Sequence, residues 1–488
     1  MEADSLAMPR LTVPDPRHWI GGAWCDAVDG APIETIDPAT GERLGLVAAG
    51  GAADIDRAVA AARAAFEDPA WAAMNPHDRA RCLLRIAGAV DAHAEELALI
   101  ESRDAGIPIS IARAMVQQLV RTFEYFAGWP SRIAGETLPT GTDLFTYTAR
   151  EPLGVCGLIT PWNAPLVLAG WKMAPALATG NSVVIKPSEL TSLSTLRLGR
   201  IIEGTDLPAG VVNIVTGTGA DAGQRLIEHP HVRKISFTGS TATGKRVLAA
   251  SVDTLKKVTL ELGGKSPNII FPDCDLDVAA AYAVGAFTAC SGQICTAGTR
   301  ILVHRDIHDA FAEKVTALAA AARIGDPMDP AVTMGPLVSQ GQFDRVMGYL
   351  ALAREEGARL RTGGARHGER GFFVQPTLFT GAGNGTRIAR EEIFGPVATL
   401  LPFRDEEEAV TIANDTPYGL AAALWTRDMA RGHRLARRIE AGTVWINSYL
   451  DGDIAVPFGG YKQSGLGREN GREVIDGYTQ SKAVYVRL

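Results

Sequence analysis

Alternation constrains this chain more than any other feature. From Gly154 onward, short runs rich in Val and Ile ("GVCGLIT", "NSVVIKPSE", "VVNIVTG", "VRKISFTGS", "KKVTLELGG") are separated by helix-like stretches ("APLVLAGWKMAPALATG", "TSLSTLRLGRIIEG", "DAGQRLIEH", "TATGKRVLAAS"). Strands that alternate with helices at this spacing pair in parallel, and the crossover helices cover both faces of the sheet. A second series begins near Ser266. Its strands are "PNIIF", "TRILVH", "FFVQPTLFT", "VATLLPF", "AAALWT" and "TVWINS", and its helices include "LDVAAAYAVGAFTAC", "HDAFAEKVTALAAAARIG" and "EEAVTIANDT". Residues 52 to 129 read as helical, from apolar positions three and four apart. "TGTDLFTYTAR", Thr140 to Arg150, is a β-branched excursion with no core face of its own, and the tail "GYTQSKAVYVRL" reads as another strand. The expectation is an α/β chain with two parallel sheets and a small β element.

Composition narrows the function classes. The net charge is -7 and no block of basic residues occurs, so nucleic-acid binding has no electrostatic support. The cysteines at 25, 82, 156, 274, 290 and 295 form no spaced framework, which suits free thiols in a reducing compartment. "MEADSLAMPRLTVPDPRHW" lacks an apolar signal-peptide run, and its acids and prolines do not suit a transit peptide. No long apolar stretch free of charge and Pro/Gly interruption is present to span a membrane. The cytoplasm is the expected location.

Several motifs carry chemistry, each beside a plainer reading. In "FTGSTATGK", Gly239, Gly244 and Lys245 fit G-x4-G-K, but Arg246 stands where a phosphate loop needs Ser or Thr. A metal-free phosphate turn and an unliganded turn both remain. "GTGADAG" misses the G-x-G-x-x-G spacing of the usual dinucleotide fingerprint. "IKPSE" ends a strand with Lys186 and Glu189, which suit ribose hydroxyls or plain solvent. In "TLELGGKSPNII", Glu261 is either a partly dry proton acceptor or a turn-bound acid. Asn163 in "ITPWNAP" suits an oxyanion donor or a turn cap. Cys295 in "SGQICTAGTR" has small neighbours that would admit a carbonyl to a nucleophilic thiol, although inert burial is the commonest fate of a cysteine. Cys290 lies five residues earlier, but no second Cys pair or nearby His supports a metal site.

Taken together and in order, "TPWNAP", "IKPSE", "FTGSTATGK", "LELGGKSPNII", "GQICTAGTR", "EEIFGPV" and "PFGGYKQSGLGRE" resemble the aldehyde dehydrogenase superfamily from about residue 18 to the end. The resemblance implies two Rossmann-like parallel-sheet domains, one for cofactor and one catalytic, plus a small β oligomerisation element. The implied cofactor domain is 1–136 with 151–261, the catalytic domain 262–455, and the bridging element 137–150 with 470–488. Cys295 matches the family's nucleophile, Asn163 the oxyanion donor and Glu261 the base that releases the acid by hydrolysis; Lys186 matches a catalytic and cofactor position. Implied contacts to NAD are Thr160, Pro161, Trp162, Lys186, Ser188, Glu189, Gly219, Phe237, Gly239, Ser240, Leu262, Glu392 and Phe394. Glu189 would repel a 2′-phosphate, so NAD is favoured over NADP. No metal is implied.

Trp171, Ile294, Thr296 and Phe458 match the walls of the aldehyde tunnel. Aromatic walls suit an apolar or aromatic aldehyde. Asp451 and Asp453 in "SYLDGDIAVPF" keep a betaine aldehyde or aminoaldehyde open, and a semialdehyde is a further alternative. A cofactor-independent thiol esterase and a non-catalytic binding protein are the alternatives from other classes. The expected partners are a small aldehyde and further copies of the chain, as a homodimer or homotetramer, with no nucleic acid and no membrane.

Overall fold

The Val155–Ile159 strand is buried at every position, as is the neighbouring Ser182–Lys186 strand. Strands covered on both faces have no solvent side, so their residues need not alternate. These two lie in the middle of an eight-stranded sheet in a computed structural model that describes residues 15–488. The start of the expected cofactor domain and the leaderless reading of residues 1–14 lie outside the described residues.

The sheet runs Gly465–Leu466, Lys257–Glu261, Val232–Thr238, Val155–Ile159, Ser182–Lys186, Val212–Ile214, His18–Ile20, Ala23–Cys25. The five from Lys257–Glu261 to Val212–Ile214 are parallel. The chain starts this parallel set at Val155–Ile159, steps outward twice, then returns to the other side with Val232–Thr238. That reversal opens a crevice at the carboxyl ends of Val155–Ile159 and Val232–Thr238, the place where doubly wound sheets bind ligands. The hairpin of His18–Ile20 and Ala23–Cys25 extends one edge antiparallel. The sequence reading did not anticipate it.

The second sheet has seven strands, in the order Arg359–Thr362, Thr377–Thr380, Val397–Phe403, Arg300–His304, Pro267–Ile270, Ala421–Trp425, Thr443–Ile446. Only the Arg359–Thr362 edge is antiparallel. A separate small sheet pairs Thr479–Arg487 with Leu144–Pro152, and Thr137–Leu138 adds to the far side. The molecule is thus α/β with two parallel-sheet units and a small antiparallel one.

The helical reading of residues 52 to 129 holds, in helices that include Pro76–Ala92, Ala94–Ala105 and Ile109–Ala127. Ile109–Ala127 packs on Pro165–Ala178, and Gly170 makes the approach possible: a Cβ there would lie 2.3 Å from Leu119 Cδ1. Pro165–Ala178 is apolar nearly all round and buried at every position except Trp171.

Glu101, inside Ala94–Ala105, is fully buried beneath this helix. Its Oε1 accepts from Ser194 Oγ at 2.6 Å and from the Leu166 N–H at 3.3 Å, while Oε2 has no partner. Burial pushes its carboxyl up to about 7. The folded state therefore binds the proton more tightly than the unfolded chain, and stability is lost as pH rises through that value. Glu101→Gln keeps the Oε1 acceptor and removes the charge. It should raise the unfolding midpoint by a few degrees at pH 8 and leave it nearly unchanged at pH 5, as read by calorimetry.

Candidate active site

Glu261 ends its strand at the carboxyl edge of the first sheet, and two glycines follow it. Their use is steric. A Cβ on Gly263 would lie 2.3 Å from Glu392 Oε2, and one on Gly264 would lie 2.3 Å from the Cys295 carbonyl oxygen. The pair lets the Glu392 loop and the Cys295 loop close on the strand that carries Glu261. The Gly264 N–H then donates to Glu392 Oε1 at 3.0 Å.

Cys295 follows a tight turn in which Cys290 and Ser291 take left-handed backbone, with φ of 46° and 58°. Such values are uncommon outside glycine and cluster at functional sites. Gly292 comes next, also left-handed, where a Cβ would meet Gly395 O at 2.2 Å. A Cβ on Gly298 would press on the Tyr449 ring at 2.9 Å. The sequence reading took the small neighbours of Cys295 as giving access. In the structure the glycines also serve close backbone packing, and Cys295 is half-buried on the wall of a cavity. Burial, with Glu392 and Glu261 adding, pushes its thiol up to about 12.

Asn163 sits beyond the Val155–Ile159 strand and its Nδ2 donates to Gln293 O at 2.8 Å. Gln293 in turn accepts from the Val338 N–H and donates to Cys290 O, at 2.9 and 3.1 Å. The amide thereby clamps the thiol loop with one hydrogen and keeps a second.

Asn163, Glu261 and Cys295 all line one cavity of about 410 Å³, together with Trp171, Ile294, Thr296 and Phe458. The Trp171 and Phe458 rings are 5.2 Å apart. Ile111, Met115 and Trp445 extend the apolar wall, Gln118 is on the same helix face, and Asp451 and Asp453 stand exposed on the loop at its rim. Both carboxylate oxygens of Glu261 are buried and receive no hydrogen bond from the protein. Burial and the neighbouring Glu469 raise its carboxyl well above the usual range, while Lys172 and Arg468 pull the other way.

The cofactor candidates line the carboxyl edge of the sheet. Lys186 is buried and its Nζ donates to Glu189 Oε2 at 3.0 Å, with Ser188 between them. Lys186 is not among the residues that line the cavity carrying Cys295. Burial lowers its pKa. Thr160 donates its N–H to Lys186 O at 3.2 Å, and its Oγ1 is left without a partner. Pro161 and Trp162 follow, and the Trp162 ring meets Phe394 edge-on at 5.1 Å. Phe237 and Gly239 end the Val232–Thr238 strand region, and the Gly239 N–H donates to Glu261 O at 3.0 Å. Ser240 caps the Thr241–Ala250 helix, its Oγ accepting from the Thr243 N–H at 3.2 Å. Leu262 is buried under that helix, against Gly244. Gly219 is exposed, opening a short turn beyond Val212–Ile214. Burial pushes the Glu392 carboxyl up to about 7.

Sequence reasoning missed a buried charge group beneath Glu261. Lys172 Nζ donates to Thr238 Oγ1 at 2.7 Å and to Glu469 Oε1, which also accepts from Ser236 Oγ at 3.0 Å. The lone Lys172 in an otherwise apolar helix was the available signal; Glu469 sits in a Gly-rich loop that gave none. The Gln340–Glu355 helix was also missed. Its Gln342 donates to Phe394 O at 2.6 Å and its Arg345 to Glu392 O at 2.6 Å, so it holds the Glu392 loop. Among the described residues, no group of three or more His, Cys, Asp or Glu side chains could hold a metal, and no helix is long and apolar enough to cross a membrane.

Comparison with known proteins matches this arrangement. The model of the aldehyde dehydrogenase family matches residues 24–484. DhaS of Bacillus subtilis (strain 168), provisionally named an aldehyde dehydrogenase, is 44% identical over 473 residues, covering 97% of this chain and 96% of DhaS. The structure of a Bacillus cereus aldehyde dehydrogenase in complex with NAD+ superposes with a TM-score of 0.96 at 43% identity, covering 97% of each chain. The indole-3-acetaldehyde dehydrogenase AldA of P. syringae, a mutant in complex with NAD+ and IAA, does so with 0.96 at 42% identity, covering 98% of this chain and 97% of AldA. The chain belongs to the aldehyde dehydrogenase family.

Proposed function

We propose that the protein oxidises an aldehyde to its carboxylic acid with NAD, using Cys295 as nucleophile and Glu261 as base. The observation that carries this reading is the meeting of Cys295, Asn163 and Glu261 on one cavity beside the switch-point crevice. A thiol held up to about 12 must give its proton to a partner before it attacks, and Glu261, itself raised by burial, is suited to take it. The sulfur adds to the carbonyl carbon to give a thiohemiacetal. The second Asn163 amide hydrogen and the Cys295 N–H meet the developing oxyanion. The hydride of the thiohemiacetal carbon would pass to NAD held at the strand ends, converting the thiohemiacetal to a thioester on Cys295. Once Glu261 has passed the thiol's proton to solvent, its carboxylate takes a proton from water, the water oxygen adds to the thioester carbon, and the C–S bond breaks to release the acid and the Cys295 thiolate.

The residues fit the dinucleotide. The Lys186–Glu189 pair offers charged groups to ribose hydroxyls, and the capped N-terminus of Thr241–Ala250 presents free N–H groups to phosphate. Glu392, held by the Gly264 N–H, faces the thiol loop where a second ribose would lie. Glu189 disfavours the 2′-phosphate of NADP. The NAD+ complexes of the Bacillus cereus and P. syringae relatives support this choice.

The walls from Trp171, Phe458, Trp445, Ile294 and Met115 favour an apolar or aromatic aldehyde, in line with the name of the P. syringae relative. Asp451 and Asp453 at the rim favour a second reading, an aldehyde with a distant cationic group. For assembly, Thr479–Arg487 is an edge strand with Tyr485 and Val486 exposed, which suits a homodimer or homotetramer. Six free cysteines suit the cytoplasm.

Cys295→Ala should abolish NADH formation at 340 nm with every aldehyde of a panel while NAD binding persists; retained turnover removes the covalent route and the esterase alternative alike. In Glu261→Gln, the steady rate of NADH formation should fall roughly 100-fold, and unchanged steady turnover takes Glu261 out of its role. Alkylation of Cys295 by iodoacetamide in cofactor-free enzyme should rise about tenfold per pH unit between pH 7 and 9, because the thiolate is the reacting form; a plateau at neutral pH contradicts the raised thiol. Glu189→Ala should narrow the preference for NAD over NADP, measured as the ratio of kcat/KM values.

A further inference from the structure

We propose that Asn470 positions the hydrolytic water, its side-chain amide and the Glu261 carboxylate holding one water molecule between them over the thioester carbon. This rests on the hydrolytic role proposed above for Glu261. The sequence reading put residue 470 at the start of the subunit-bridging tail. The structure puts it on the wall of the cavity that holds Cys295 and Glu261.

Three observations meet there. First, Asn470 is 3% exposed, and its Oδ1 is buried without accepting a hydrogen bond from any protein group. Leaving such a group unpaired in a buried place is costly, so a ligand with an O–H is the expected partner. Second, the backbone is fixed. The Phe458 N–H donates to Glu469 O and the Glu469 N–H to Phe458 O, both at 2.7 Å, and the Gly471 N–H donates to Ile454 O at 2.9 Å. Asn470 has φ 59°, a left-handed value that Asn tolerates better than most side chains. Third, Glu261 shares this corner. A Cβ on Gly459, the residue after Phe458, would lie 2.7 Å from Glu261 Oε1. Both Glu261 oxygens also lack a protein donor.

Three unpaired acceptor atoms around one corner suit a molecule with two O–H bonds. One hydrogen goes to Glu261 and leaves with it as the water oxygen bonds to the thioester carbon. The other is held by Asn470 and stays on the acid. The C–S bond breaks and its electron pair returns to the Cys295 thiolate. Asn470 transfers no proton; it fixes the direction of the attacking lone pair.

The test uses p-nitrophenyl acetate, which acylates a reactive thiol without regard to aldehyde preference. The burst of p-nitrophenol reads acylation of Cys295, and the steady rate reads hydrolysis of the thioester. Asn470→Gly removes the amide at a backbone angle that glycine prefers, and Asn470→Leu replaces it with a similar volume. Both should keep the wild-type burst and slow the steady rate roughly 10- to 100-fold, with acetylated Cys295 accumulating in the mass spectrum. Hydroxylamine, a stronger nucleophile, should restore turnover. A wild-type steady rate in Asn470→Gly, or loss of its burst while NAD still binds, overturns the proposal even if Asn470→Leu fails to fold. Glu261→Gln runs beside them. Slow hydrolysis there with normal hydrolysis in Asn470→Gly defeats the Asn470 proposal alone. Normal hydrolysis in Glu261→Gln, or no burst in the wild type, defeats the reading on which it rests.

Discussion

The close approach at Gly263 and Gly264 holds the site together. A single methyl at either position would collide with Glu392 or with the Cys295 backbone at 2.3 Å. Ser464 reinforces the junction: its Oγ donates to Gly263 O at 2.7 Å and its carbonyl accepts from the Leu262 N–H at 2.9 Å. Three separate parts of the chain therefore meet at one strand end. Thiol, carboxylate and cofactor-side acid get their relative positions from backbone contact, which is stiffer than contact between long side chains.

Desolvation sets the electrostatics of this junction. It raises Cys295 and Glu261 together, and each carboxylate nearby raises the thiol further. The thiol's proton has a destination in Glu261 only while that carboxyl is ionised, and the thiol, raised furthest, is the proton donor of the two. The buried Lys172–Glu469 pair lies beneath them, with side chains 0% and 2% exposed. Removing one partner of such a pair strands the other, at a cost of about 3–5 kcal/mol. Thr238 accepts from Lys172 and Ser236 donates to Glu469 Oε1, while Glu469 Oε2 is buried without a protein partner.

The parallel strands of both sheets were legible because most are short apolar runs with little to offer water, and Pro267–Ile270 and Ala421–Trp425 are buried at every position. The short strands near the N-terminus were not. His18–Ile20 spans 3 residues, too few to show a period. The Gln340–Glu355 helix did carry a stripe, with Phe343, Val346, Leu350 and Ala353 buried, but polar residues between them masked it. At the site, motif order located Cys295, Glu261 and Asn163, since each sits at a strand end or in a glycine-rich turn. Lys172 and Glu469 are 297 residues apart, and Asn470 acquires its neighbours only through the Phe458–Glu469 bridge. No local pattern encodes a meeting across that separation. The small residues around Cys295 carry two meanings at once: Gly292 and Gly298 admit neighbouring backbone and ring atoms, while the thiol still reaches the cavity wall.

Ile111, Ala114, Met115 and Gln118 project into the cavity from one face of the Ile109–Ala127 helix, opposite a loop that carries Leu450 to Phe458. Neither element supplies the thiol, the base or the sheet ends. On the function proposed above, reactivity and selectivity occupy different mechanical parts. A lineage can retune which aldehyde enters by exchanging residues along one helical stripe or by reshaping one loop, while the bond-making apparatus is left untouched.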